Sequence, residues 1–306
     1  MEPHFRNVVV GLDLSAAGSR AANEPLAPAS RAALDVALRF ARKGMKVHLL
    51  TAVEVDPLAL AMLRRRRTRP GGAFARAHER LEALAAQVAA TGCRVTTRAA
   101  PGRPADALLE DVRKNRRDLV VVGTRERGAL ARNLLGSTAL TLLRRSPVAV
   151  FVARPSAWPA PPVVLAAIDL GDMAPRILSA AAKFSAAHGA ELHVLHVVDF
   201  AAEDVLRTGA ADAEFILEYR RQRRQNAETA VPALVAKALG KASAAKVHLV
   251  DGDVNAEIVA WAERVRADVV VTGSVVQSAS GALFGLGRTA EAVLPALHTS
   301  LLVLKP

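Results

Sequence analysis

The sequence predicts an α/β protein made of two copies of one doubly wound, five-stranded parallel sheet with helices on both faces. Three observations predict it. Four segments of the first half return in the same order in the second. Short, continuously apolar, β-branched runs alternate with longer helical patterns, as strands buried on both faces require. A proline-rich joint separates the halves, and 306 residues are about twice the commonest domain size.

The first strand, Asn7-Val-Val-Val-Gly-Leu-Asp13, returns as Val163-Val-Leu-Ala-Ala-Ile-Asp169. Helical patterns follow over Ser30 to Arg42 and Pro175 to His188. The second strand, Val47-His-Leu-Leu-Thr-Ala-Val-Glu54, returns as Leu192-His-Val-Leu-His-Val-Val-Asp199. Next come helices over Phe74 to Ala90 and Ala213 to Leu239, then over Ala105 to Asn115 and Ala256 to Val265. Strand four, Asp118-Leu-Val-Val-Val-Gly-Thr124, returns 150 residues later as Asp268-Val-Val-Val-Thr-Gly-Ser274. The last strand, within Ser146 to Pro155, returns 151 residues later within Leu297 to Pro306. Strand-helix alternation implies right-handed crossovers and a parallel sheet. The expected domains are 1–154 and 163–306, joined by 155–162, where prolines resist helix and sheet alike.

Composition narrows the function classes. No apolar run reaches the roughly 18 residues of a membrane span. The N-terminus enters a strand directly, and Cys93 is the only cysteine, so no intrachain disulfide forms and a cytoplasmic protein is expected. The net charge of +12 invites a nucleic-acid reading, with Arg64 to Arg67, Arg69, Arg220, Arg221, Arg223 and Arg224 as phosphate contacts. Against it, aromatics make up 4% of the chain, too few for base-stacking platforms, and no nucleic-acid-binding signature accompanies the charge. His193 and His196 are three apart on a strand and point to opposite faces, which argues against one shared metal.

A ligand site in such a sheet belongs at the carboxyl ends of the strands, where the winding reverses. Strand one of the first half ends there in Asp13. Strand four ends in Gly123-Thr124-Arg125-Glu126-Arg127-Gly128, and the next helix opens at Gly136-Ser137-Thr138. Glycines let backbone N–H groups approach phosphate oxygens, and a helix start offers unpaired donors and a favourable dipole. A plainer reading stands beside this one. Asp13 and Asp169 then only cap or brace a loop, and Ser137 and Thr138 only cap a helix.

At these residues each half resembles the universal stress protein family, whose nucleotide-binding members carry Gly-x2-Gly-x9-Gly-[Ser/Thr] after strand four. Gly123, Gly136 and Ser137 fill three of the four positions, and Glu126 replaces the second glycine. Gly128 then supplies the loop's flexibility, with Arg125, Arg127 and Arg132 offsetting the carboxylate. The resemblance implies a Rossmann-like fold and places Asp13 near the nucleoside, Ala52 under the adenine and Val122 beside the same pocket. It also implies pairing of the halves through their last strands, Val148 to Ala153 and Leu301 to Leu304, as a pseudo-dimer. A homodimer beyond that is compatible with it.

The second half keeps Asp169, Val197 and Gly273, with Val276 at the second glycine. Gly287, Arg288 and Thr289 align with Gly136, Ser137 and Thr138 after one inserted residue, so Arg288 stands at the hydroxyl position. Its guanidinium either meets an anion or fills the pocket.

The resemblance thus implies a stress-response regulator that binds ATP, with or without a divalent metal, or another adenine nucleotide. Binding falls mainly in the first half, and occupancy biases its surface toward regulatory partner proteins. The alternative is a degenerate module that acts through protein or other small-ligand contacts. No nucleophile elbow, Walker loop or Cys/His cluster is written in the residues, so the expected role is binding, with slow ATP hydrolysis left open.

Overall fold

A computed structural model describes residues 5–14, 26–55, 58, 62, 72–124, 136–155, 158–200, 202–209, 212–240, 242–274 and 287–306. Contacts divide the chain into two units. The first comprises Met1–Ala157 with Ser300–Lys305, and the second comprises Trp158–Thr299 with Pro306.

In the first unit the order is β1 (Asn7–Leu12), α1 (Pro28–Phe40), β2 (Lys46–Val53), α2 (Ala73–Ala89), β3 (Arg94–Pro101), α3 (Pro104–Asn115), β4 (Leu119–Gly123), α4 (Ser137–Arg145) and β5 (Ala149–Ala153). Pro28 and Pro104 open their helices, where the missing N–H would have no partner in any case. The strands lie in the order β3-β2-β1-β4-β5, all parallel. Val8 to Val10 and Leu119 to Val121 are almost wholly excluded from water, as the continuous apolar runs predict. Asp118 ties the start of strand four to strand one by accepting from the N–H groups of Arg6 (2.6 Å) and Asn7 (3.0 Å).

A sixth strand completes this sheet from the far end of the chain. β10 (Ser300–Leu304) runs antiparallel to β5, pairing Leu301 with Val152, Leu302 with Phe151 and Val303 with Val150. The backbone N–H of Arg154 donates to Ser300 Oγ at 3.1 Å. The last strands of the two sequence repeats therefore do pair. By contacts, residues 300–305 belong with the first unit although they end the second repeat. β5 is consequently buried throughout rather than left as an open edge.

The second unit contains β6 (Val163–Ile168), α5 (Ala174–His188), β7 (Glu191–Val198), α6 (Glu203–Thr208), α7 (Ala213–Leu239), β8 (Lys246–Asp251), α8 (Val254–Arg264), β9 (Val269–Gly273) and α9 (Gly287–Val293). Its strands are parallel in the order β9-β6-β7-β8. Asp268 repeats the bond of Asp118, accepting from Val163 N–H at 2.8 Å. Asp212 and Asp253 cap α7 and α8 through the N–H groups of Phe215 and Ala256. Among the described residues no helix is long and apolar enough to cross a membrane.

Candidate functional site

Pleat geometry decides which side chains meet at the carboxyl edge of the first unit. A β-carbon on Gly11 would lie 2.8 Å from Leu108 of α3 and 3.0 Å from Val122 Cγ1, so Val122 faces α3. His48 lies 3.4 Å from Asp111 of α3, and alternation along β2 puts Ala52 on that same face. By the same alternation Thr124 follows Val122 onto it, the side that α3 and its packed neighbour α4 cover. Ala52 and Val122 thus share one sheet face, at the carboxyl ends of the strands that flank β1.

Gly123 points the other way. Its ideal β-carbon would stand 1.9 Å from the carbonyl oxygen of Ala29, in the first turn of α1. Backbone of α1 occupies that space, so the glycine is required by helix-on-sheet packing. The close approach at Gly123 is to α1.

Thr124 is the residue that motif reading passed over. The residue is 3% exposed, and its hydroxyl has no hydrogen-bond partner among the described residues, while its N–H donates to Ala153 O at 3.0 Å. A buried hydroxyl without a partner costs about 1–3 kcal/mol, which a further partner would recover. The signal lay in the sequence, one residue past the motif's first glycine.

α4 begins at Gly136, which has extended-type dihedrals (φ −59°, ψ 128°) and no side-chain cap. Ser137 is exposed and Thr138 half-buried. The Ser137 carbonyl accepts from Thr141 Oγ1 at 2.7 Å, and the first N–H groups of a helix have no partner within it.

Asp13 is fixed through its backbone. Its N–H donates to Ser30 Oγ at 2.8 Å, and the Ser30 hydroxyl donates back to Asp13 O at 3.1 Å. Arg80 of α2 reaches the next residue, donating to Leu14 O at 3.4 Å, and brings a cation to the mouth of the crevice. Neither Ser30 nor Arg80 carries a motif signature, because each acts through a contact distant in sequence. Arg125, Glu126, Arg127, Gly128 and Arg132 lie outside the described residues, as do Val276 and the arginines from 64 to 69.

The second unit is arranged differently. The Asp169 carboxylate accepts from Gly171 N–H at 3.0 Å, which is the loop-bracing role. Gly273 faces α5, where an added β-carbon would lie 3.0 Å from the end of the Ile177 side chain and 3.5 Å from Met173 Cβ. Val197 is buried on β7. α9 is described over Gly287–Val293, with Thr289 buried; the Arg288 side chain lies outside the described residues.

The remaining candidates are structural. Arg220, Arg221, Arg223 and Arg224 pair with Glu203, Glu218, Asp199 and Asp251, at 2.6, 2.6, 3.6 and 2.6 Å. Their charge is answered within the unit. His193 bonds His248 (Nδ1 to Nε2, 2.8 Å) and Glu191 (2.7 Å), and His248 lies against Trp261. His196 bonds the Ile168 carbonyl at 3.0 Å. No group of three metal-ligating side chains occurs among the described residues. Burial pushes His48 below its ordinary pKa, outweighing the opposing pull of Asp111. Burial likewise lowers His196 and, with His193 and Lys246 nearby, His248.

Comparison with known proteins adds the following. The profile of the universal stress protein family matches twice, over residues 4–154 and 162–305. No curated protein matches the chain. Among solved structures, a functionally unknown protein from Pseudomonas aeruginosa PAO1 is 22% identical with a TM-score of 0.67, over 99% of this chain and 94% of that one. A putative universal stress protein from Pseudomonas aeruginosa UCBPP-PA14 is 21% identical, TM-score 0.67, over the same shares. A universal stress protein from Archaeoglobus fulgidus DSM 4304 is 18% identical, TM-score 0.64, over 97% and 98%. At these identities the likeness is one of fold.

Proposed function

We propose, for a chain that belongs to the universal stress protein family as a tandem of two members, that it is a cytoplasmic regulator binding one adenine nucleotide in its first half. The observation that carries this reading is the buried Thr124 hydroxyl, unpartnered among the described residues, on the sheet face that α3 packs against, with α4 starting at Gly136 beside α3. A ligand with phosphate oxygens would accept from the first N–H groups of α4 and from Ser137, and Thr124 would gain its missing partner. Ala52 and Val122 would form the apolar wall for the base, with Asp13 accepting from the sugar hydroxyls. Arg80 would add positive potential. Any divalent metal would ride on the phosphates.

The role proposed is binding rather than catalysis. Occupancy would order the crevice and bias the surface toward partner proteins, within a pseudo-dimer of the two halves. A second reading, a module that no longer binds nucleotide, draws support from Gly123. That glycine is fully explained by its contact with Ala29. Mass spectrometry of small molecules retained by the purified chain separates the two. An adenine nucleotide near one per chain supports the first reading, and a clean protein that also takes up no added ATP supports the second.

A further inference from the structure

The last described turn of α4 is held by a residue from the opposite end of the chain. Lys305, 7% exposed, donates from Nζ to the carbonyl oxygen of Leu143. The final carbonyls of a helix lack intrahelical partners and carry the negative end of its dipole. A buried ammonium costs several kcal/mol in desolvation unless it meets such a partner, so a neutral side chain would fill this position more cheaply.

Two other cations, Arg144 and Arg145, stand at the same helix end. Both are exposed, and Arg145 is turned toward Asp106 at 3.4 Å, so solvent screens them. Lys305 is the buried charge of the three. It also continues β10, whose pairing with β5 fixes its position relative to α4. The helix is nine residues long, about 13 Å, and its other end is the Gly136-Ser137 start described above.

We infer that Lys305, at the end of the second repeat, is a positioning residue for phosphate-bearing ligands in the first. It anchors α4 from behind and offsets the negative end of its dipole, raising the positive potential at the helix start. The inference rests on the proposed reading of that start as a phosphate site. Its physical content is that the second repeat completes the first repeat's anion site through its last residues. A ligand lacking phosphate should be indifferent to Lys305.

The test is calorimetric titration of the full chain with ATP, adenosine and inorganic tripolyphosphate, in wild type, Lys305→Met and Lys305→Arg. Binding is counted only where Gly136→Val removes it. Lys305→Met is expected to weaken ATP and tripolyphosphate on the order of threefold to tenfold, with adenosine unchanged and Lys305→Arg close to wild type. Equal losses for ATP and adenosine would reduce Lys305 to a structural role and overturn the inference, as would no loss for either. Tripolyphosphate bound without adenosine would sink the adenine reading while still testing Lys305. Wild type binding none of the three would overturn both.

Discussion

The carbonyl oxygen of Ala29 stands 1.9 Å from where a β-carbon on Gly123 would be. α1 therefore sits on β4 through a backbone contact that only glycine permits. Gly123→Ala is expected to cost about 1–3 kcal/mol or more from overpacking, with or without nucleotide. Gly273→Ala should be tolerated better, since its nearest obstacle is the Ile177 methyl. Urea unfolding of both variants checks this. A Gly123→Ala protein of unchanged stability that has lost only ligand would return the glycine to a phosphate-approach role.

That contact also shows where sequence reading stops. The repeat, the continuous strand runs and the proline joint were enough for the parallel order and the helices, because each is a local or periodic property. The resemblance placed Ala52 and Val122 at one pocket, and the pleat puts them on one sheet face. Gly123 was read as a ligand glycine because the motif cannot show that α1 folds back onto it. Ser30, Arg80 and Lys305 were missed for the same reason, since their contacts span 17, 66 and 162 residues. For Asp169 the sequence left a ligand role and a bracing role open, and the Gly171 N–H that its carboxylate accepts was not legible in the motif.

Thr124→Val tests the unpartnered hydroxyl. Valine keeps the shape and removes an unsatisfied polar atom, so the free protein should gain about 1 kcal/mol of stability. ATP affinity should fall, on the order of tenfold or less for one lost hydrogen bond. Denaturation and calorimetry on the same samples read both effects. A variant less stable than wild type, with ATP affinity intact, would show that the hydroxyl already has a partner in the free protein.

β10 should be indispensable to the first unit. Leu302 is 1% exposed and pairs with Phe151. Leu302→Ala is expected to cost about 2–5 kcal/mol and to raise hydrogen exchange in β5 before β7 or β8. Uniform loss of protection across both units would contradict the assignment of residues 300–305 to the first.

Acid should destabilise the protein starting from just below neutral pH. His48, His196 and His248 have lowered pKa values in the fold, so below about pH 6.5 the unfolded chain takes up protons that the folded chain does not. The stability these rings contribute is complete above that value and is lost as pH falls toward their folded pKa values. Glu191, lowered by Lys246 and then His193, adds a loss in the same direction further into acid. Urea midpoints between pH 8 and pH 5 should therefore decline on acidification, less steeply in His248→Phe. A flat or rising midpoint would contradict the histidine environments.

The central claim is one nucleotide per chain, held at the start of α4. Its most direct measurement is calorimetric titration of the intact protein with ATP, in wild type and Gly136→Val. A stoichiometry near one is expected in wild type, because the Asp169 carboxylate already accepts from Gly171 N–H, while Gly136 and Ser137 keep the motif spacing in the first half. The account predicts no binding in Gly136→Val, where a branched side chain blocks backbone approach to the phosphates. Two equal sites, no binding by wild type, or binding that survives Gly136→Val would each contradict it.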